Sequence, residues 1–402
     1  MNILFLSLGR YKSVNEKGIY TDLLREFINH GHSVTILSSE ETRARKETSV
    51  IKEKNCTIVR VFTGKIQKTN IIEKGINTLL IETRYKNAIK RYCKEISYDL
   101  VLYPTPPITL VSPVSYVKKR DNAKSYLLLK DIFPQNAVDI GMMSKNGLKG
   151  TLYKYFRLKE KKLYQISDYI GCMSPANVKY LLKHNPEIKK SKVEECPNSI
   201  EIVDKSVNDE IRKEIRSKYS IPIDKKVFIY GGNLGKPQGI DFLIKCLQSQ
   251  NENKNLYFLI VGDGTEYTKI DTYLKKNNLQ SVKLMKRLPK EDYDNMVGAC
   301  DVGMIFLDHR FTIPNFPSRL LSYMQAKIPV LTCTDVNTDI GDIVVNGGFG
   351  WKCYSNNIKG FERCVNEVLK SDFVEMGNNA KEYIEKNYNV VQGYEIIMKH
   401  FK

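Results

Sequence analysis

The chain has 402 residues, 42% hydrophobic and 27% charged, with 63 Lys and Arg against 45 Asp and Glu for a net charge of +18. This composition excludes a disordered, collagenous or membrane-spanning chain, and the length favours two domains, since single cores rarely grow past about 250 to 300 residues. The charge is uneven: residues 1–200 hold 35 basic and 19 acidic side chains, net +16, and residues 201–402 hold 28 and 26, net +2. An anionic partner is therefore expected to meet only the first half.

The opening run Ile3–Ser7 lacks the basic flank and small-residue cleavage site of a signal peptide and reads as a buried first strand. A polar loop, Gly9–Gly18, leads into helical spacing at Ile19, Leu23, Leu24, Phe27 and Ile28; Gly31 ends that helix and Ser33–Leu37 is a second strand. This is a βαβ unit, whose loop lies at the carboxyl end of the first strand, where open parallel sheets hold ligands. Further strands are expected at Thr57–Phe62, Leu100–Tyr103, Ser125–Leu129 and Tyr169–Cys172.

After a charged, helical connector, Asp204–Lys218, a second series begins. Its expected strands are Val227–Tyr230, Leu256–Val261, Val282–Met285, Val302–Leu307 and Val330–Thr332, with a helix at Ile240–Leu247 and closing helical patterns at Asn357–Leu369 and Phe373–Phe401. Strands alternating with helices at this spacing predict two Rossmann-like α/β domains with parallel sheets. The nine cysteines form no CxxC pair and no disulfide framework, which suits reduced core residues of a cytosolic protein, and the five histidines have no metal spacing. No run approaches the roughly 18 apolar residues of a spanning helix, so any membrane contact is expected to be peripheral.

Three places in the second half, and one in the first, could carry chemistry. Gly231–Gly239 joins a strand to a helix, so its backbone N–H groups could approach phosphate oxygens, with Lys236 adding a charge. It matches neither a dinucleotide fingerprint nor a P-loop, and a tight turn is the equal alternative. In Phe311–Met324, Pro317 suits a first helical turn, so Ser318 and Arg319 fall at a helix start. A cation there opposes the helix dipole unless an anion docks at the same end; otherwise it is an exposed arginine on an ordinary helix. Arg287, beside Lys286, follows a strand at the ligand-facing edge, or is a solvated basic residue. In the first half Asp131 follows the strand Ser125–Leu129, where a carboxylate facing an interdomain cleft could orient or deprotonate a hydroxyl, or simply cap the turn before Pro134.

The basic excess lies mainly in Lys65–Lys94 and Lys145–Lys162, where cations interleave with Leu, Ile, Tyr and Phe. Such helices suit an anionic membrane surface; nucleic acid, or plain solvation, are the alternatives.

Taken in order, the loop ending in Gly18, Gly31-His32-Ser33-Val34, Ser167-Asp168, Pro197-Asn198-Ser199-Ile200, the Gly231 loop, Gly262-Asp263-Gly264, Ala299-Cys300-Asp301, Pro317-Ser318-Arg319 and Lys327-Ile328-Pro329-Val330 resemble the GT-B glycosyltransferases of family 4. With Asp131–Pro134, the chain is most similar to the bacterial capsule and O-antigen polysaccharide transferases that handle N-acetylated amino sugars. The resemblance implies an acceptor domain over 1–202, a nucleotide-sugar domain over 203–378, and a helix over 379–402 crossing back to the first domain. It implies a retaining, metal-independent transfer from a UDP-sugar to a lipid-linked, polyprenyl-diphosphate saccharide acceptor, by a cytoplasmic enzyme peripheral on the inner face of the membrane, with no nucleic acid as partner. Catalytic roles fall to Asp131, Lys236 and Arg319. The donor is expected on Gly232, Asn233, Gly235, Gln238, Gly262, Arg287, Phe316, Pro317, Ser318 and Ser322, and the acceptor on Asn15, Lys17 and Gly18. The sequence departs from the family where Asn233 and Gln238 stand for an Arg and a Lys, and where Pro314 and Ser322 stand for paired glutamates. A noncatalytic sugar- or nucleotide-binding protein of the same fold is the alternative that these losses motivate.

Overall fold

The computed structural model describes residues 1–41, 48–64 and 71–401, and leaves undescribed the side chains of residues 71–76, 148 and 149. The chain forms two compact units, Met1–Glu201 with Val390–Lys402, and Ile202–Asn389.

Unit 1 contains β1 (Asn2–Leu6), α1 (Ile19–Asn29), β2 (Ser33–Glu40), β3 (Ser49–Glu53), β4 (Cys56–Phe62), α2 (Ile71–Tyr92), β5 (Leu100–Pro104), α3 (Val111–Asp121), β6 (Lys124–Leu129), α4 (Gln135–Asp139), α5 (Gly147–Ile166), β7 (Tyr169–Cys172), α6 (Pro175–His184) and β8 (Val193–Glu195). The strands form one sheet in the order β3-β4-β2-β1-β5-β6-β7-β8. All described pairings are parallel except β3 with β4. Because successive side chains point to opposite faces, Leu4, Leu6, Val101, Tyr103, Leu127 and Leu129 enter one core with α2, α3 and α5. Ile3, Phe5, Leu100, Leu102, Tyr126 and Leu128 enter the other, against α1. Both faces are covered, which is why these strands read as nearly continuous apolar runs. The short polar β3 has no such run, and the sequence gives no sign of it.

Unit 2 contains α7 (Asp209–Lys218), β9 (Lys226–Asn233), α8 (Ile240–Ser249), β10 (Leu256–Asp263), α9 (Tyr267–Asn277), β11 (Val282–Met285), α10 (Lys290–Gly298), β12 (Val302–Phe306), α11 (Arg319–Gln325), β13 (Val330–Thr334), α12 (Ile340–Asn346), β14 (Gly350–Tyr354), α13 (Ile358–Val368) and α14 (Phe373–Asn387). Its sheet order is β11-β10-β9-β12-β13-β14, parallel throughout. The Asp301 carboxylate, 4% exposed, fixes the base of this sheet: it pairs with Arg216 at 2.6 Å and with Arg212, and accepts the Val227 N–H at 2.7 Å. All nine cysteines are free and buried.

The last segment differs from a single helix that crosses back from residue 379. α14 stays in unit 2, and the break comes at Tyr388, whose ring packs 5.8 Å from Phe316 and 5.9 Å from Tyr383. A new helix, α15 (Val390–Met398), then belongs to unit 1. There the Val390 N–H donates to Ile200 O at 2.9 Å. Tyr394 stacks on His30 at 4.1 Å and meets Phe27 at 5.0 Å.

Candidate functional site

The loop after β9 is built by steric necessity on both flanks. Gly232 and Gly262 are register partners at the ends of β9 and β10, and a Cβ on Gly262 would lie 2.0 Å from Gly232 O. A Cβ on Gly264 would lie 2.4 Å from Leu234 O, to which the Glu266 N–H donates at 2.9 Å. Lys236–Gln238 forms a single 3-10 turn, closed by Gly239 in the left-handed region at φ 58°. A Cβ on Gly239 would come within 3.0 Å of Leu307 O, and the Asp308 N–H donates to Pro237 O at 3.0 Å. The tight-turn role of these glycines is thus real. Gly232 is different: it is exposed, with φ 121°, and a Cβ there would face the Arg319 guanidinium at 3.6 Å.

Arg319, the first residue of α11, turns back beneath this loop. Its Nη2 donates to Gln238 Oε1 at 2.8 Å, and its Cζ lies 4.4 Å from the Tyr230 ring centroid. Tyr230 Oη is 2.8 Å from Asn233 O and 3.1 Å from Gln238 Oε1. Tyr323 and Tyr293 complete the surroundings: Tyr323 Oη reaches Met304 O at 3.1 Å, and a Cβ on Gly231 would overlap Tyr293 Oη. Burial pushes all three phenols up, Tyr323 to about 12, although the guanidinium pulls the other way. Burial also works against the Arg319 charge, but the neighbouring Tyr230 and Tyr323 outweigh it and hold the guanidinium above its ordinary range. The tyrosines stay neutral near neutral pH, and among the described residues no carboxylate pairs with Arg319, whose buried Nη1 has no hydrogen-bond partner. Buried polar groups are normally hydrogen-bonded, so the unpartnered Nη1 of this half-buried cation is set to receive an anion.

The other expected donor residues are placed as follows. Lys236 and Arg287 are exposed and form no ion pair among the described residues. Lys286, not Arg287, is engaged: its Nζ lies over the Tyr267 ring at 3.2 Å and 3.8 Å from Asp263. Phe316 is buried against Tyr388, which makes it a packing residue at this point of the fold. Ser318 is exposed and makes no side-chain cap to α11. Pro317 and Ser322 are half-buried. Gln238, Gly232, Asn233 and Gly235 are brought together with Arg319 around one loop. Tyr230, Tyr293 and Tyr323 went unnoticed in the sequence because each reads as a core aromatic.

In unit 1, Asp131 sits just past β6 and is held on both sides. Asn136 Nδ2 lies 2.8 and 2.9 Å from its two carboxylate oxygens. Thr105 Oγ1 accepts the N–H groups of Lys130 and Asp131 at 3.1 and 3.2 Å, and donates to Asp131 O at 3.0 Å. Burial pushes the Asp131 carboxyl up, opposed by the Ile132 N–H and Asn136. The carboxylate caps no N–H of α4; its partner is the Asn136 amide. Asn136 itself carries no sequence signal, because its role depends on the turn through Pro134. In the early loop the Gly18 N–H donates to Asp22 Oδ1 at 3.0 Å, and Arg25 Nη1 donates to Val14 O and Glu16 O at 2.8 and 2.9 Å. Gly18 is extended at φ 175°, so it begins α1 without needing glycine's freedom. Asn15 and Lys17 are exposed at the rim of this loop.

Two Rossmann-like units, each built on a largely parallel sheet, define the GT-B class of two-domain α/β protein. Residues 211–388, within the second unit, match the model of the family of glycosyl transferases group 1. The chain is 24% identical over 296 residues to the probable glycosyltransferase WbjE of Pseudomonas aeruginosa, covering 72% of this chain and 71% of that protein. Among solved structures it resembles sucrose-phosphate synthase of Thermosynechococcus elongatus, with a TM-score of 0.78 at 14% identity over 100% of this chain and 99% of that one. It also resembles Anabaena HepE in complex with UDP-glucose, with a TM-score of 0.66 at 13% identity over 100% and 99%. These likenesses establish the shared fold.

Proposed function

We propose that the protein is a retaining glycosyltransferase that moves an N-acetylated amino sugar from a UDP-sugar to a hydroxyl of a polyprenyl-diphosphate-linked saccharide, in surface polysaccharide synthesis on the inner face of the cell membrane. The observation that carries this reading is Arg319, a half-buried arginine whose buried Nη1 has no hydrogen-bond partner and which has no carboxylate partner among the described residues, under the only exposed glycine of its loop. A diphosphate is the anion such a site suits. Charge develops on it as the bond from the anomeric carbon to the phosphate oxygen breaks, and fixed donors then count most. Lys236 stands in the same loop, exposed, and supplies a second cation, so the leaving group is stabilised by side chains rather than a metal. The acceptor oxygen bonds to the anomeric carbon on the face the nucleotide leaves, and its proton passes to Asp131 or to the departing phosphate. Burial of Asp131 raises its basicity for that task.

A noncatalytic binding protein is favoured by one observation, that Pro314 and Ser322 bring no carboxylate to the region before and within α11. A panel of nucleotide sugars separates the readings. A UDP-sugar at 100 times its dissociation constant adds about 2.7 kcal/mol of stability, and the transferase also hydrolyses or transfers it. Binding without turnover supports the second reading, and absence of binding by folded protein overturns both.

A further inference from the structure

We infer that the outer face of α2 and α5 in unit 1 is the surface by which this protein rests on an anionic lipid bilayer. The inference builds on the proposed lipid-linked acceptor and identifies the residues that make the contact. The described side chains of α2, α3 and α5 include twelve basic and three acidic groups. Each of the three acids is already paired within the layer: Glu82 with Lys159, Asp121 with Arg120 at 2.6 Å, and Glu160 with Arg157 at 2.5 Å. Among its described side chains the layer therefore has no unpaired carboxylate to repel an anionic surface. Some of its cations have another explanation, since Lys90, Arg91 and Lys119 lie in last turns, where they complement the helix dipole. Lys154 and Lys162 do not: they are exposed along α5, with no ion pair among the described residues.

Between these cations stand large aliphatic groups that the fold leaves in water. Leu79 and Leu80 on α2 are 52% and 39% exposed, and Leu152 and Leu158 on α5 are 49% and 59% exposed. The Lys159–Glu82 ion pair joins the two helices. Leu79 lies one turn before Glu82 and Leu152 two turns before Lys159, so both leucines share their helix's face with that junction. Leu79, Leu80 and Leu152 also fall in the first halves of helices that start at the carboxyl edge of the sheet, the edge that carries Asp131. Leucines set among unpaired lysines form the amphipathic pattern that seats in the headgroup region of a bilayer. Here that pattern lies at the end of the unit where an acceptor hydroxyl would be activated.

The test is cosedimentation of the full chain with vesicles of phosphatidylcholine alone and of phosphatidylcholine mixed with phosphatidylglycerol. Selective, salt-sensitive partitioning into the mixed vesicles is expected, falling about fivefold for each cation removed in Lys154→Gln and Lys162→Gln. It should fall further in the Leu152→Ser, Leu158→Ser double variant, whose exposed positions leave the core untouched. UDP-sugar binding, measured in parallel, should not change, since these residues lie in unit 1. Failure of wild type to bind mixed vesicles while it still binds a UDP-sugar overturns the surface and leaves the transferase reading intact. Equal partitioning of wild type and variants, self-association of wild type that the leucine variants abolish, or tight binding of RNA without vesicle binding also overturns it.

Discussion

Arg319 Nη2 donates to Gln238 Oε1 at 2.8 Å, a bond that joins the start of α11 to the turn after β9 across 81 positions of sequence. Gln238 uses its carbonyl oxygen to orient the guanidinium. Replacing Arg319 by Ala removes a charge-assisted contact of about 1.5–3 kcal/mol, so UDP-sugar affinity should fall roughly 10- to 100-fold by calorimetry. Arg319→Lys should recover little of it, because an ammonium lacks the planar fork that holds Gln238 and an anion together. Unchanged affinity in Arg319→Ala would remove this residue from the donor site.

Gly262→Ala tests the steric account of the loop. Its Cβ would meet the Gly232 carbonyl at 2.0 Å, and backbone cannot step aside as a side-chain tip can. Overpacking of this kind costs about 1–3 kcal/mol, and equilibrium urea unfolding should show that loss. Nucleotide binding should weaken with it, since the Gly232 backbone would have to shift.

The Asp131 carboxyl has two separable consequences. Its folded pKa lies above the unfolded value, so the native state binds the proton more tightly. The stability this contributes is full below the unfolded pKa and is lost as pH rises through the folded pKa. Asp131→Asn should therefore be at least as stable as wild type at neutral pH by thermal melting, yet lose about 10²- to 10⁴-fold in turnover if the carboxylate is the base. Asn136→Ala removes a donor that favours the ionised form, so the acid limb of the pH–rate profile should move up. A profile that keeps its acid limb would show that Asn136 does not tune Asp131.

Asp301 belongs to the fold rather than to the site. It pairs with Arg212 and Arg216, and Arg216 itself donates to the carbonyl oxygen of Ala299 at 2.8 Å. Asp301→Ala leaves Arg216 buried without its counter-charge, which costs about 3–5 kcal/mol. The variant should lose most of unit 2's stability in urea, with disordered backbone signals around Val227.

Much of the fold was legible because its signals are local. A parallel strand covered on both faces must be apolar throughout, so β1, β5, β6, β9, β10 and β12 declare themselves as short Val, Ile, Leu and Phe runs. Gly31 and Pro317 mark a helix end and a helix start by backbone conformation alone. β3 and the break at Tyr388 are not local in this way: one depends on pairing with β4, the other on the Phe316 and Tyr383 rings. The site divides along the same line. Composition and order of motifs singled out Gly232, Gln238, Asp131 and Arg319 as residue types able to handle a phosphate or a hydroxyl. Tertiary structure alone decided that Arg319 reaches Gln238, that three tyrosines surround it without neutralising it, and that Asn136 holds Asp131. It likewise decided which part of the +18 charge faces solvent beside exposed leucines. Charge and hydrophobicity are properties of the chain, but desolvation and pairing exist only once distant residues have been brought within a few ångströms.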